Sequence, residues 1–322
     1  MLRAMYSGIS GLKNFQTKLD VIGNNIANVN THGFKKGRVV FKDLISQTNG
    51  AAAGPTITRG GVNPMQVGLG AQIAAIDTVH GTGSLQTTGR TLDLAISGDG
   101  FFMVADSTEA PSDEGIIEVT GEEAFSNILY TRAGNYYMDE NGYLVNAEGK
   151  YLVGVRADEY ADLADEEGII LDEKPNVAGD EGANLFEDGV LTPGEGELGA
   201  IRVPISAQNM SIGQDGTVSY TDLNGELKYA GQIILTKFAN TGGLEKTGAN
   251  YYRPTANSGN PYAQVGTVAG IGAIQSSTLE MSNVDLSEEF TEMIVAQRGF
   301  QATSRIITTS DEILQELVNL KR

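Results

Sequence analysis

The chain has 322 residues, 40% of them hydrophobic, enough for a sizeable core and, at ordinary domain sizes, for about two domains. It contains neither cysteine nor tryptophan, which excludes disulfides, thiol nucleophiles and cysteine-based zinc sites. Its net charge of −19 is local: 14 acidic residues against one lysine lie between Asp158 and Ala200, and 7 acidic residues with no basic one between Asp106 and Glu123.

Those two stretches, 106–123 and 158–200, read as acidic inserts in an otherwise neutral protein. Their carboxylates follow no calcium-loop spacing, so solvated surface loops are expected. Nucleic acid is not an expected partner, because binding it requires clustered positive charge. The N-terminal segment lacks the continuous apolar run of a secretory signal, and no stretch approaches the roughly 18 apolar residues that span a bilayer. A soluble chain without membrane insertion is expected, leaving the cell, if it does, without a cleaved signal peptide.

Residues 2–29 have helical periodicity. Leu2, Met5, Ile9 and Leu12 recur at 3-4-3 spacing, followed by Phe15, Leu19, Ile22, Ile26 and Val29. Gly8, Gly11 and Gly23 weaken this helix by about 1 kcal/mol each, and alone it is marginal in water. The run Asn28–Gly33 resembles a C-terminal cap in which Gly33 or an asparagine takes the left-handed conformation.

From about Ala71 to Tyr262 the grammar is β. "ILYTRAGNYYMDENGYLVNAEGKYLVGV" predicts a meander of short antiparallel strands with turns at AG, DENG and AEGK. "MSIGQDGTVSYTDLNGELKYAGQIILTKF" repeats it with turns at QDG and LNG, and "DLAISGDGFFMVAD" sets two apolar strands around Gly-Asp-Gly.

Helix returns at 286–320. One apolar row holds Leu286, Phe290, Met293, Phe300, Ile307 and Leu314, and a neighbouring row Ile306, Ile313, Leu317 and Leu320. Asp285 or Ser287, followed by Glu288 and Glu289, marks its start, and Lys321 and Arg322 suit the dipole at its end. Two weak helices at opposite ends of the chain stabilise each other as a coiled coil. At about 1.5–3 kcal/mol per buried large apolar side chain, even a partial seam outweighs the glycine penalties. The apolar surface left over points to self-assembly.

Catalytic patterns are missing. His32 and His80 stand in no nucleophile–base or metal-ligand arrangement, and both are expected at the surface. "GEGELG" at 194–199 opens no helix, DENG is a turn, Asp99 sits in a Gly-Asp-Gly turn, and "NMS" at 209–211 is a chance-prone glycosylation match. No enzyme activity, cofactor or metal is expected.

"DVIGNNIANVNTHGFKK", with Ala27, Asn28, Thr31, Gly33, Phe34 and Lys35, resembles the N-terminal signature of the bacterial flagellar axial proteins, the rod and hook subunits. "LEMSNVDLSEEFTEMIVAQRGFQATSRIITTSDEIL" is similar to that family's C-terminal hallmark, and "LDLAISGDGFF", "YTRAGNYYMDENGYLV" and "FANTGGLEKTGANYYRPTANSG" to its intervening segments. "GGVNPMQVGLGAQIAAIDTVHGTGSLQTTGRTLDLAI" and the chain length look more like a hook subunit, with a distal rod subunit as the alternative.

The resemblance implies an α+β protein. Residues 1–33 with 280–322 would form a discontinuous inner coiled-coil domain, 34–70 with 263–279 a connecting segment, and 71–262 a mainly antiparallel β outer domain. It implies a helical homopolymer, a flexible torque-transmitting tube around an export channel. Its partners would be flagellar rod, hook-cap and hook–filament junction proteins and the export apparatus, at the extracellular flagellum. With the periodicity, it assigns the assembly interface to Leu12, Leu19, Ile22, Asn24, Asn25, Ile26, Asn28 and Phe34, and to Phe290, Met293, Ile294, Gln297, Arg298, Phe300, Ile307, Leu314 and Leu317. Asn24, Asn25, Asn28 and Asn30 are expected to cross-link neighbouring subunits through their amides, to cap the helix end, or both, the two roles being compatible.

Overall fold

The computed structural model describes residues 2–107, 125–156, 186–187, 190–191 and 197–320. The bulk of both acidic inserts lies outside them, as do Gly194–Gly196 of the GEGELG match and the closing Lys321 and Arg322. The chain divides into two compact units, one of residues 1–29, 35–79 and 284–322, the other of 30–34 and 80–283. Of the stretches 34–70 and 263–279, grouped by sequence as one connector, residues 35–70 fall in the first unit and Phe34 and 263–279 in the second.

In the first unit, helix α1 (Leu2–Ala27) packs against the C-terminal helix α2 (Leu286–Asn319). Asp285 caps α2, its Oδ1 accepting from the backbone N–H groups of Ser287 at 2.8 Å and Glu288 at 3.3 Å. Strand β also starts earlier than Ala71. Strands β1 (Gly37–Asp43) and β2 (Ser46–Gly50) pair antiparallel with β4 (Ala71–Thr78) and β3 (Met65–Gly68), respectively. Bridges Ala53–Val62 and Thr56–Arg59 continue the ladder, so residues 37–78 form one long two-stranded hairpin arm.

The second unit is built on antiparallel pairing. Strand β5 (Leu85–Thr87) pairs with β22 (Thr278–Glu280), and β6 (Leu94–Ser97) with β21 (Ala273–Ser276). Strand continues past Tyr262 because these late strands close on the early ones. The main sheet contains β7 (Phe101–Ser107), β8 (Phe125–Thr131), β9 (Tyr137–Met138), β10 (Leu144–Val145) and β11 (Tyr151–Arg156). A short pair, β12 (Phe186–Glu187) and β13 (Val190–Leu191), lies off it. The main sheet continues through β14 (Glu197–Ala200), β15 (Asn209–Ile212), β16 (Thr217–Thr221) and β17 (Leu227–Lys237), then β18 (Glu245–Gly248), β19 (Tyr251–Arg253) and β20 (Tyr262–Val265). Its path runs β15-β16-β17-β11-β7-β8-β19-β18.

The run Phe101–Ala105 is apolar without alternation because both sheet faces are covered. Phe102 and Val104 join one core cluster with Leu152, Ile233 and Leu235, whereas Phe101, Met103 and Ala105 join another with Val153 and Ile234. The Gly-Asp-Gly turn links β6 and β7 across two different sheets rather than closing a hairpin. The DENG and AEGK turns form as expected: Asp139 Oδ1 accepts from Asn141 and Tyr143 N–H, Asn146 Oδ1 from Glu148 and Lys150 N–H, and Gly142 and Gly149 take φ of 87° and 80°. The AG site works differently. Gly134 is there for close approach, since a Cβ on it would run into the Leu94 carbonyl.

Candidate assembly interface

Helices α1 and α2 run antiparallel, and small residues set how closely they approach. Gly8 faces Ile307, Gly11 faces Thr303, and Gly299 faces the Phe15 ring. A Cβ would stand 3.1 Å from Ile307 at Gly8, 3.0 Å from Thr303 at Gly11, and 2.5 Å from Phe15 at Gly299. The glycines counted as helix penalties are therefore the contact points of the seam. The stripe shifts accordingly: Ile9 is exposed, while Gly8, Asn14, Ile22 and Asn25 are buried.

Of the residues assigned from sequence, Ile22 and Asn25 are buried, and Leu12, Leu19, Ile26, Asn28, Met293, Ile307 and Leu314 are half-buried. Asn24, Phe290, Ile294, Gln297, Arg298, Phe300 and Leu317 are exposed. The first apolar row of α2 is thus divided between seam and solvent, and Ile306, Ile313, Leu317 and Leu320 of the second row all face solvent. Ile294 and Val295 keep 59% and 57% of their surface exposed. An isolated chain carries this apolar surface uncovered.

Two of the four asparagines, Asn25 and Asn28, bond within the chain through their side chains, while Asn24 and Asn30 are exposed. Asn25 bonds Gly37 and Glu289, and Asn28 donates to the Asn24 carbonyl at 2.9 Å in the last turn of α1. Gly33 takes the left-handed conformation at φ 70°, but not as a cap on α1, which ends at Ala27: its N–H donates to the Glu280 carbonyl at 2.9 Å, and a Cβ there would run into the Ala133 backbone. Phe34 is buried in the β unit with the Lys246 ammonium 5.0 Å from its ring centroid, and burial lowers the Lys246 pKa.

The hairpin arm is the feature the sequence reasoning missed. Its side chains Ile45, Ile57, Val62, Met65 and Val67 are exposed, Ile57 completely. Two strands alone are marginal in water, so an arm of this kind is expected to find further cover. The available signal was the alternation in "GRVVFKD" and "AQIAAIDT" on either side of the Gly-rich stretch 50–70.

No catalytic constellation appears among the described residues, and no group of three His, Cys, Asp or Glu is placed to hold a metal. His32 and His80 are half-buried rather than at the surface, the latter ring lying 5.8 Å from Phe101 and 5.4 Å from Tyr252. A cleft of about 220 Å³ beside His80, Phe101, Arg132 and Lys237 has its cations already engaged. Arg132 pairs with Glu280, and Lys237 with Asp99 and the Gly270 carbonyl. No described helix is long and apolar enough to cross a membrane.

A pair of terminal helices with uncovered apolar flanks is the arrangement of a polymerising subunit, and known proteins match it. Residues 5–35 match the family "Flagella basal body rod protein", residues 95–220 the "Flagellar hook protein FlgE/F/G D1 domain", and residues 275–320 the "Flagellar basal body rod FlgEFG protein C-terminal". The flagellar basal-body rod protein FlgG of Bacillus subtilis (strain 168) is 50% identical over 326 residues, covering all of both chains. The chain belongs to the flagellar rod and hook protein family. It is a structural subunit of the flagellar axis, in a family of structural proteins rather than enzymes. Two relatives from Borreliella burgdorferi are each 33% identical across 100% of both chains: the rod protein FlgG over 327 residues and the flagellar hook protein FlgE over 460. Length therefore does not argue for a hook subunit, because rod proteins of this family align end to end with this chain.

Proposed function

We propose that the chain is a rod subunit of the flagellar basal body, a component of the stiff shaft that carries torque outwards. Greater identity to a rod protein over the full length carries this reading, supported by the hook alignment's 460 positions, which leave parts of that relative without a counterpart here. The hook subunit is the second reading, supported by 33% identity to a hook relative along the whole of this chain, the same identity as to a rod relative from that organism.

On either reading, many copies stack with α1 and α2 innermost, around an export channel. The apolar flanks Phe290, Ile294, Ile306 and Leu317 bury against neighbours, with Gln297 and Arg298 bonding across the same contact. The arm lies over an adjacent copy. Export proceeds through the flagellar export apparatus. Antibody labelling of isolated basal bodies tests the assignment. Label confined to the rod is expected, and label along the hook beyond it would overturn the rod in favour of the hook.

A further inference from the structure

At the root of the arm, three elements meet in one polar cluster. The amide of Asn25 on α1, 2% exposed, pairs with both backbone groups of Gly37 in β1. Its Nδ2 donates to the Gly37 carbonyl at 2.9 Å, and its Oδ1 accepts from the Gly37 N–H at 2.9 Å. An adjacent strand would bond Gly37 in the same way. The Nδ2 group also donates to Glu289 Oε2 of α2 at 3.2 Å, and Glu289 is itself buried. Around this cluster, Lys36 pairs with Glu288 at 2.7 Å and Lys18 with Glu292.

The same residues line a cleft of about 250 Å³ with Val21, Ile22 and Val39. The arm root is therefore joined to the helices by directional bonds as well as by the close approach of Gly37 to Val21, with the cleft beside them. Further along, Gly70 lies against Ser7 and Ser10, a contact of packing alone. Apolar contact is non-directional, whereas hydrogen bonds weaken steeply when bent. The helix pair is also held away from this cluster, where Gly8, Gly11 and Gly299 meet Ile307, Thr303 and Phe15.

We propose that Asn25 and Glu289 are positioning residues, a latch that fixes the direction of residues 37–78 relative to the helix pair so that the arm meets a neighbouring copy at one angle. Beyond the pairing of Leu44 with Gly70, some 13 residues lead to the tip, a contour of about 40 Å at strand rise, so a small change in the arm's direction displaces Ile57 by several ångströms. The role in assembly rests on the axial-subunit reading; the latch is testable without it.

The chain has no cysteine, so spin labels on Gln16→Cys in α1 and Thr58→Cys at the arm tip report one distance in the full-length, unassembled chain. A second pair, Gln16→Cys with Gln301→Cys, reports on the helices. Asn25→Ala and Glu289→Ala are each expected to give an arm–helix distance distribution about twice as wide as the parent's, with the helix–helix distance unchanged. Glu289→Gln keeps an acceptor for Asn25 and is expected to preserve the narrow distribution. An unchanged width in both alanine variants would overturn the latch, as would equal broadening of both distances. If Asn25→Ala fails to fold, Glu289→Ala decides by the same criterion. Loss of polymer without arm broadening would count against the latch and leave the subunit assignment standing.

Discussion

Arg132 and Glu280 are both withdrawn from water, and their pairing holds several strands of the β unit to one another. The guanidinium meets Glu280 Oε2 at 3.3 Å, donates to the Gly98 carbonyl at 2.9 Å and lies 5.3 Å from the Phe101 ring centroid, while Glu280 Oε1 accepts from Gly83 N–H at 2.9 Å. Removing one partner strands a buried charge, so Arg132→Ala should cost about 3–5 kcal/mol, read as a lower urea midpoint, and Arg132→Met with Glu280→Leu should recover most of it. Equal losses in the single and double variants would contradict this account. Neither residue stood out in the sequence, because the spacing of 148 positions gives no local sign of a pair. The left-handed conformation of Gly33 was legible, but its reason was not, since α1 ends at Ala27 and the Gly33 N–H bonds Glu280, far along the chain. Gly8, Gly11 and Gly299 were not legible, because a glycine that weakens a helix and one that admits a neighbour look alike until the partner is known.

At the scale of elements, local grammar carried most of the fold. Helix bounds, the cap at Asp285 and the DENG and AEGK turns all follow from side chains acting within a few residues of themselves. The arm did not emerge, because strands 37–43 and 71–78 find each other across a 27-residue gap whose composition reads as loop. The sheet offers its own test. Burial pushes the hydroxyls of Tyr130, Tyr136, Tyr229 and Tyr252 above the ordinary tyrosine range and Tyr251 up to about 12. A folded pKa above the unfolded value of about 10 gives stability that is complete below pH 10 and lost as pH rises through the folded values. The near-ultraviolet signal of the sheet should therefore collapse cooperatively above pH 10. A gradual tyrosine titration near pH 10 with the fold intact would contradict the burial described.

For the whole molecule, what matters is which apolar surface the chain leaves uncovered. The β unit buries its large side chains on both sheet faces, whereas α1 and α2 cover each other along one seam and leave Phe290, Ile294, Ile306 and Ile313 facing solvent. Family membership was legible because both terminal motifs are long; rod against hook was not, because residues alone do not say how copies stack. The most direct test is polymerisation of Ile306→Asp, a change on an exposed position that leaves the seam intact. The variant is expected to keep the parent's helical circular dichroism and melting temperature, yet to remain monomeric by sedimentation at concentrations where the parent forms filaments visible by electron microscopy. Filaments of normal length from that variant would contradict the claim that neighbouring copies cover this flank.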